Sequence, residues 1–321
     1  MPTVRRPRFG SMAYYPRKRT KKPVASIGCW AKTKEAKLLG FAGYKVGMAH
    51  VMLLDNGPNS MTKGKIISYP VTLIECPPLK VASVRFYKKT GDGLKVVSDV
   101  FADELDKELE RKIIFPKNKK IKIDDIKDFD DIQLTVYTQP KLTTIGKKRP
   151  ELFEMGIGGK KEEKLAYAKS VLGKIINVSD IFKEGAQLDI HAITKGKGLQ
   201  GPVKRFGISL RSHKSEKSRR NPGSLGGWQG QGKVMWRVPH AGQMGYYQRL
   251  EHNKWLLKIS DKPEEVNPKS GFLRYGLIKN PYIIIKGSAP GPTKRLIRFN
   301  TAIRPSKFIQ KEAPQIKEIL T

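Results

Sequence analysis

Two glycine-rich stretches have residue types that, at the right spacing, hold the phosphate groups of nucleotides. Gly196, Gly198 and Gly201 spell the GxGxxG pattern of a dinucleotide-binding loop, directly after a predicted strand. That loop needs a crossover helix and a second parallel strand ending in a ribose-binding acid, and the sequence predicts neither. Residues 227–234, GWQGQGKV, nearly spell a P-loop, but Val234 stands where Mg²⁺ coordination needs Ser or Thr. We therefore expect no nucleotide site at either stretch.

The histidines and cysteines do not form a catalytic or metal-binding pattern. The five histidines are scattered, with no identifiable nucleophile or orienting carboxylate and no zinc spacing: His50, His191, His213, His240 and His252. Cys29 and Cys76 form no CxxC pair, so passive thiols in a reducing cytoplasm are the expectation. The sequence thus predicts neither an enzyme nor a bound metal or cofactor. His191 lies in a predicted strand, where a structural role is expected.

Charge points to a different kind of chemistry. The 321 residues carry a net charge of +34, and 38% are hydrophobic. Between Lys195 and Lys254 there are 13 Lys/Arg against 2 acids, together with 11 of the 30 glycines. Such a segment cannot build a core of its own and is longer than an ordinary loop, which rarely exceeds roughly a dozen residues. A polyanion would neutralise and order it, and we expect that polyanion to be folded RNA.

The first 37 residues repeat this chemistry. They hold 11 Lys/Arg and one acid, with aromatic rings interleaved: Phe9, Tyr14, Tyr15 and Trp30. Rings can stack on unpaired bases while basic side chains meet phosphates. The apolar runs are shorter than the ~18–20 residues that span a bilayer, and none follows the basic start as in a signal peptide. We expect no membrane partner and no small-molecule substrate.

Short apolar stretches, separated by Gly, Pro and Asn, must position these basic segments. They are rich in β-branched and aromatic residues, which predicts an antiparallel sheet or barrel. They cover residues 38–54, 65–76, 80–89, 131–138, 186–194, 255–260, 282–287 and 295–303. An insertion over 99–174 interrupts them, and its opening stretch, 99–131, holds 11 of the 29 acids, which suggests a face turned away from RNA. Helical spacing predicts helices at 102–112 and 161–173.

Several stretches resemble the universal large-subunit ribosomal protein three family. Residues 182–205, FKEGAQLDIHAITKGKGLQGPVKR, are similar to its signature at Phe182, Asp189, Ala192, Thr194, Gly196, Lys197, Gly198, Gly201 and Arg205. NPGSLGGWQGQGKVMW, HAGQMGYYQRLEHNKWLLKI and KGSAPGP resemble the family's central extension and the strands after it. FGSMAYYPRKR and LGFAGYKVGMAHV match near the start. Trp228 and the lack of a long tail make the archaeal type the closer likeness.

The resemblance implies a mainly β fold: a six-stranded translation-factor-type β-barrel with an α+β insertion and long irregular basic extensions. The expected segments are a basic N-terminal extension (1–37), the first barrel segment (38–98), the insertion with an acidic face (99–174), a barrel strand (175–194), the central RNA-penetrating extension (195–250), barrel completion (251–303) and a C-terminal tail (304–321).

The function implied is that of a non-enzymatic constituent of the large ribosomal subunit in the cytoplasm. It would bind large-subunit rRNA early in assembly, beside neighbouring ribosomal proteins, and extend its central segment toward the peptidyl-transferase centre. The expected rRNA-binding residues are Arg5, Arg6, Arg17, Lys18, Arg19, Lys195, Lys197, Lys204, Arg205, Arg211, Lys214, Lys217, Arg219, Arg220, Trp228, Gln229, Lys233, Arg237 and His240. The alternatives are an RNA-modifying or RNA-processing enzyme with a basic docking arm, and a free RNA chaperone.

Overall fold

The chain divides into two compact units. The computed structural model describes residues 14–57, 59–115, 122–126, 128–227, 232, 234–310 and 312–320. The basic unit comprises residues 1–22 and 193–248, and the β unit comprises residues 23–192 and 249–321. Each unit is thus assembled from two separate stretches of sequence.

Strands dominate the β unit, as the β-branched and aromatic stretches predict. Its strands are β1 (Gly40–Leu54), β2 (Ile66–Glu75), β3 (Leu79–Thr90), β4 (Gly93–Phe101), β5 (Asp131–Tyr137), β6 (Leu152–Gly156), β7 (Ile175–Ile176), β8 (Gln187–Ile193), β11 (Gln248–Ser260), β12 (Tyr282–Lys286), β13 (Leu296–Thr301) and β14 (Ile316–Leu320). The basic unit contains two short strands, β9 (Leu199–Gln200) and β10 (Gly242–Gln243). The helices are α1 (Lys161–Val171) and, in the basic unit, α2 (Pro202–Phe206), and 3-10 turns lie at Lys107–Arg111, Ile123–Asp125, Pro140–Leu142, Val178–Asp180 and Pro263–Glu265.

The larger sheet holds most of the core. Its strand order is β13-β8-β11-β12-β2-β1-β14, and β13 also pairs with β1, from Gly40 opposite Asn300 to Tyr44 opposite Leu296. Every residue from Tyr282 to Ile285 in β12 is fully buried. A strand covered on both faces reads as a continuous apolar run, which is why the sequence YIII predicts it well.

The second sheet is built from the predicted insertion and the strands before it. Its order is β4-β3-β5-β6, with β7 also pairing with β3. Helix α1 packs against β5, and Lys164 of the helix forms an ion pair with Asp131 at 2.6 Å. The predicted helix at 161–173 is therefore confirmed. The sequence did not predict β4, β6, β7 or β14.

The predicted helix at 102–112 is wrong, because only a 3-10 turn at Lys107–Arg111 forms there. Asp106 has an extended backbone immediately before the turn. Its carboxylate accepts hydrogen bonds from Tyr137 Oη at 2.6 Å and Lys80 Nζ at 2.8 Å. These contacts hold Asp106 outside the helical register, so the helix cannot extend toward its predicted start.

A buried polar pair lies between β8 and β13. His191 faces Arg298 across the ladder, and both side chains are almost completely buried. Arg298 donates to the backbone carbonyl of Ala25 at 2.7 Å and to that of Glu154. Burial, and secondly the nearby Arg298 charge, lower the pKa of His191 to about 4. His191 is therefore neutral in the folded protein at pH 7.

Candidate nucleic-acid interface

The two ends of the central segment are joined by a short antiparallel stem. In β9 and β10, Gln200 lies opposite Gly242 and Leu199 lies opposite Gln243. Backbone hydrogen bonds extend the stem from Lys197 N to Met244 O, and from Met244 N to Gly198 O, each at 2.9 Å. A further bond joins Thr194 N to Tyr247 O at 2.9 Å. The two ends of the central segment are therefore held next to each other.

One glycine in this stem has no substitute. Gly245 has a φ of +73°, and a Cβ on it would lie 2.1 Å from the carbonyl oxygen of Lys195. Both the left-handed backbone and the close approach exclude an L side chain. The stem geometry therefore depends on glycine at this position.

The GxGxxG stretch belongs to this stem rather than to a nucleotide site. After Gly201 comes α2, a five-residue helix that the sequence did not predict. Pro202 occupies its first turn, and Gly207 ends it in the left-handed conformation. The preceding strand pairs antiparallel with β10, whereas a dinucleotide fold requires a parallel strand after the helix. The near P-loop falls largely on residues 228–231 and 233, outside the described residues.

Arg205 stabilises the stem through hydrogen bonds to backbone carbonyls. Its guanidinium donates to the backbone carbonyls of Gln243 (Nε, 3.2 Å) and His240 (Nη1, 3.0 Å). It also lies 5.1 Å from the centre of the Phe206 ring. Two of its donor groups are thus used within the protein, so Arg205 holds the returning strand in position.

The N-terminal stretch crosses the stem through stacked arginines. Arg17 lies over the rings of Phe206 (4.4 Å) and Tyr15 (4.9 Å), and Arg19 lies over Tyr246 (5.1 Å). Thr20 fixes this stretch, because its amide and its hydroxyl both donate to the carbonyl of Tyr246, at 3.0 and 3.1 Å. Two basic stretches that are far apart in sequence therefore form one surface.

A second local fold shapes the outer region of the segment. Arg211 N donates to the carbonyl of Arg219 at 3.1 Å, and Arg211 Nη2 donates to that of Pro222 at 2.6 Å. Arg219 Nε returns a bond to the carbonyl of Arg211 at 3.3 Å. Arg211 is accordingly half-buried, while the turn projects its other basic residues outward.

Most of the described candidate residues face solvent. The exposed ones are Lys18, Arg19, Lys195, Lys197, Lys204, Lys214, Lys217, Arg219, Arg220 and Arg237, while Arg17, Arg205, Arg211 and His240 are half-buried. Arg5, Arg6, Trp228, Gln229 and Lys233 lie outside the described residues. No described Lys or Arg of the basic unit forms an ion pair with another described residue. Their charge is available to an external anion.

Sequence reasoning missed one aromatic side chain of this surface. Trp236 is 61% exposed, although the edge of Tyr15 packs on it with ring centres 4.7 Å apart. An exposed indole in a basic surface can stack on an unpaired base. The same signal that singled out Trp228, a tryptophan in a glycine-rich basic stretch, could have found it.

This arrangement suits binding of a phosphate backbone rather than bond-making chemistry. Exposed cations, two half-buried arginines that fix the backbone, and the exposed rings of Tyr14 and Trp236 provide charge, shape and stacking. Within the described ranges, no group of three or more His, Cys, Asp or Glu is placed to hold a metal ion. The described helices are too short or too polar to cross a membrane.

Comparison with known proteins identifies the family to which the chain is similar. A family model described as ribosomal protein L3 matches residues 1–320. The chain is 48% identical to the large ribosomal subunit protein uL3 of Methanothermobacter thermautotrophicus, covering 98% of this chain and 96% of the relative. It is 48% identical to uL3 of Archaeoglobus fulgidus (94% and 93% covered) and 45% identical to uL3 of Methanocaldococcus jannaschii (99% and 97% covered).

Proposed function

The chain belongs to the ribosomal protein L3 family, and we propose that it serves as a structural constituent of the large ribosomal subunit with rRNA bound along its basic unit. One observation carries the choice of ligand. The basic unit contains 19 Lys/Arg and a single acid, Glu216. So uneven a charge needs a polyanion, and large-subunit rRNA is the polyanion that the family's place in the ribosome supplies. Its role is structural and not enzymatic.

The geometry gives the side chains of this surface three different roles in binding RNA. The exposed lysines and arginines contact phosphates, which positions the protein but reads no sequence. Arg205 and Arg211 hold the backbone in the shape that the RNA must match. Specificity then comes from RNA shape and from looped-out bases stacked on rings such as Trp236. We propose that Arg5, Arg6, Lys233 and Gln229 also bind rRNA.

For the β unit we propose the six-stranded barrel of the translation-factor type. Each of β1, β2, β8, β11, β12 and β13 has two neighbours among these six, which supports closure. We propose that the acids of the stretch 99–131 face away from RNA, so that like charges do not meet. The segment limits expected from the sequence are part of the same proposal.

The central segment is proposed to extend toward the peptidyl-transferase centre, with Trp228 at its tip. Glycines flank Trp228 in LGGWQGQG, so its indole can approach packed RNA without steric conflict from neighbouring side chains. We also propose that the chain binds early in assembly, because a segment that lies inside folded RNA must be inserted before that RNA closes around it. Neighbouring large-subunit proteins are the other expected partners.

Sedimentation tests the proposed function. An epitope-tagged chain expressed in an archaeal host should appear at one copy per large subunit. A substoichiometric amount would favour an RNA-modifying or RNA-processing enzyme, and failure to sediment with subunits would favour a free RNA chaperone.

Salt dependence tests the ligand assignment. If about ten cations each neutralise a phosphate, the logarithm of the affinity for an rRNA fragment should fall with log salt at a slope of about −7 to −9. A slope shallower than about −3 would mean that most of these charges face solvent.

A further inference from the structure

Two loops of the β unit meet and carry basic charges only. Residues 139–150 connect β5 to β6, and residues 266–280 lie between β11 and β12. Neither range contains Asp or Glu, and together they contain seven Lys/Arg. Thr144 Oγ1 donates to the carbonyl of Leu277 at 3.0 Å, and the side-chain amide of Asn280 donates to the carbonyl of Leu142 at 3.1 Å. These two ranges are called the loop surface below.

Most of the charge on the loop surface is uncompensated. Lys141 pairs with Glu108 at 3.0 Å, and Lys147 pairs with Glu151 at 2.5 Å. The other five cations are exposed and form no ion pair with a described residue: Lys148, Arg149, Lys269, Arg274 and Lys279. Five like charges held on two joined loops repel one another, and a polyanion would offset that repulsion.

A buried carboxylate makes the second loop rigid. Glu75 has no exposed surface, and its Oε1 accepts bonds from the backbone amides of Lys279 (2.9 Å) and Asn280 (3.0 Å) and from the Asn280 side chain (2.8 Å). The hydroxyl of Tyr275 donates to its other oxygen. The loop is therefore preorganised rather than free to fold back onto the protein.

The tip of this loop presents an apolar and a basic side chain together. Phe272 and Gly276 close a tight turn through a backbone bond of 3.0 Å. Between them, Leu273 is 83% exposed and Arg274 has a φ of +63°. A non-glycine residue in this backbone region is strained, and such strain concentrates at binding sites. The exposed side chain of Leu273 therefore adds little to packing within the protein.

We propose that the loop surface is a second rRNA-binding site, in which the five unpaired cations contact phosphates and Leu273 packs against sugar and base surfaces. The proposal rests on the assignment of the chain to the ribosome. It adds a contact outside the basic unit that none of the sequence motifs indicated. A protein partner fits less well, because the centres of protein interfaces are depleted in lysine, whereas a phosphate backbone matches a surface with cations and no acids. Apolar side chains that wedge against nucleic acid are found beside such cations.

Directed hydroxyl-radical cleavage locates the contact. In full-length protein with the exposed Cys29 replaced by serine, Leu273→Cys carries an iron chelate, while buried Cys76 does not react. The probe is a large-subunit rRNA transcript bound by the protein. Leu210→Cys in the basic unit (50% exposed) is the positive control, and Glu104→Cys in the acidic stretch is the negative control.

Cleavage of one discrete rRNA segment from position 273, at a strength comparable to that from 210 and above that from 104, is the expected result. Cleavage from 210 alone overturns the second site and leaves the proposed function intact. Silence at both positions overturns both proposals. Radical cleavage in assembled subunits that strikes a neighbouring protein instead of rRNA also overturns the inference.

The salt slope gives an independent measurement. The variant Lys148→Gln, Arg149→Gln and Arg274→Gln should bind the transcript with a slope shallower by about 2 to 3, from roughly 0.7–0.9 per lost phosphate contact. A matched control removes three exposed cations from the acidic stretch: Lys107→Gln, Arg111→Gln and Lys122→Gln. The control should keep the wild-type slope. Equal slopes in the loop variant and the wild type would show that these cations face solvent.

Discussion

Gly245→Ala tests whether the stem positions the basic unit for RNA. The added Cβ would lie 2.1 Å from the Lys195 carbonyl oxygen, whereas ordinary contact begins near 3.4 Å, so the backbone must move by about 1.3 Å. The left-handed backbone costs an alanine about 1–2 kcal/mol more. Three backbone bonds join the strands around this point, each contributing about 0.5–1.5 kcal/mol net. The strain energy that the alanine adds is therefore comparable to the free energy with which the backbone bonds hold the stem closed. The stem of the variant should consequently be open for much of the time.

The expected result is a loss of rRNA affinity of roughly 10- to 100-fold. Binding must then close the opened stem again, and each tenfold loss of affinity corresponds to about 1.4 kcal/mol of free energy needed to do so. Filter binding to an rRNA fragment measures the affinity. Hydrogen exchange of residues 194–200 and 242–247 measures stem opening. The melting temperature of the β unit should not change, because neither Gly245 nor Lys195 belongs to it.

Gly223→Ala is the matched control, because a Cβ there meets no atom within 4 Å and its φ is not in the positive region. Wild-type affinity and exchange in the Gly245→Ala protein would refute the argument. So would an equal loss of affinity in the Gly223→Ala protein, since the effect would then not come from the stem.

Three further predictions concern single side chains. Trp228→Ala should leave folding and subunit incorporation nearly unchanged but alter the peptidyl-transfer rate or aminoacyl-tRNA affinity; a lowered melting temperature with normal ribosome activity would place the indole in a core. His191 has a folded pKa of about 4, below the unfolded value near 6.5, so it contributes stability above pH 6.5 that is lost as pH falls toward 4. His191→Gln should therefore flatten the dependence of melting temperature on pH in that window relative to the exposed control His50→Gln, and identical pH dependences would contradict the assignment. A maleimide should label Cys29 alone in the native protein and Cys76 only after denaturation, because burial raises the pKa of the Cys76 thiol; two labels per native chain would show that the core is open.

The sequence predicted best the elements whose signal is local. Strand β12 and helix α1 each carry their pattern within a dozen residues, apolar continuity in one and a polar helix ending before Gly173 in the other. Strand β14, IKEIL, is short and carries two charged residues among five, and it forms because β1 offers an edge, which no local pattern reveals. The turn at 107–111 illustrates the reverse, since a helical pattern was overridden by contacts of Asp106 with distant residues.

For the candidate site, composition predicted the surface but not its construction. The excess of Lys and Arg identified both basic stretches, because charge density can be read directly from the chain. Which arginines brace the fold could not be predicted, since Arg205 and Lys204 are neighbours in sequence and only the first meets backbone carbonyls. The packing of Arg17 on Phe206 joins residues nearly 190 positions apart, and the sequence carries no signal for such a contact.

The pairing of β1 with β13 has a consequence for protein synthesis. On one side β1 pairs with β2, where Tyr44 lies opposite Glu75, but on the other side Tyr44 lies opposite Leu296. Strand β1 therefore gains this second neighbour only after about 250 further residues have been translated. At roughly 5–20 residues per second, this delay lasts on the order of 10–50 s. Before it ends, the basic stretch at 195–248 has been synthesised while the larger sheet is still incomplete. A nascent chain with this topology therefore meets cellular RNA as a polycation before its β unit has folded, and shielding of that stretch during translation becomes a requirement for correct delivery.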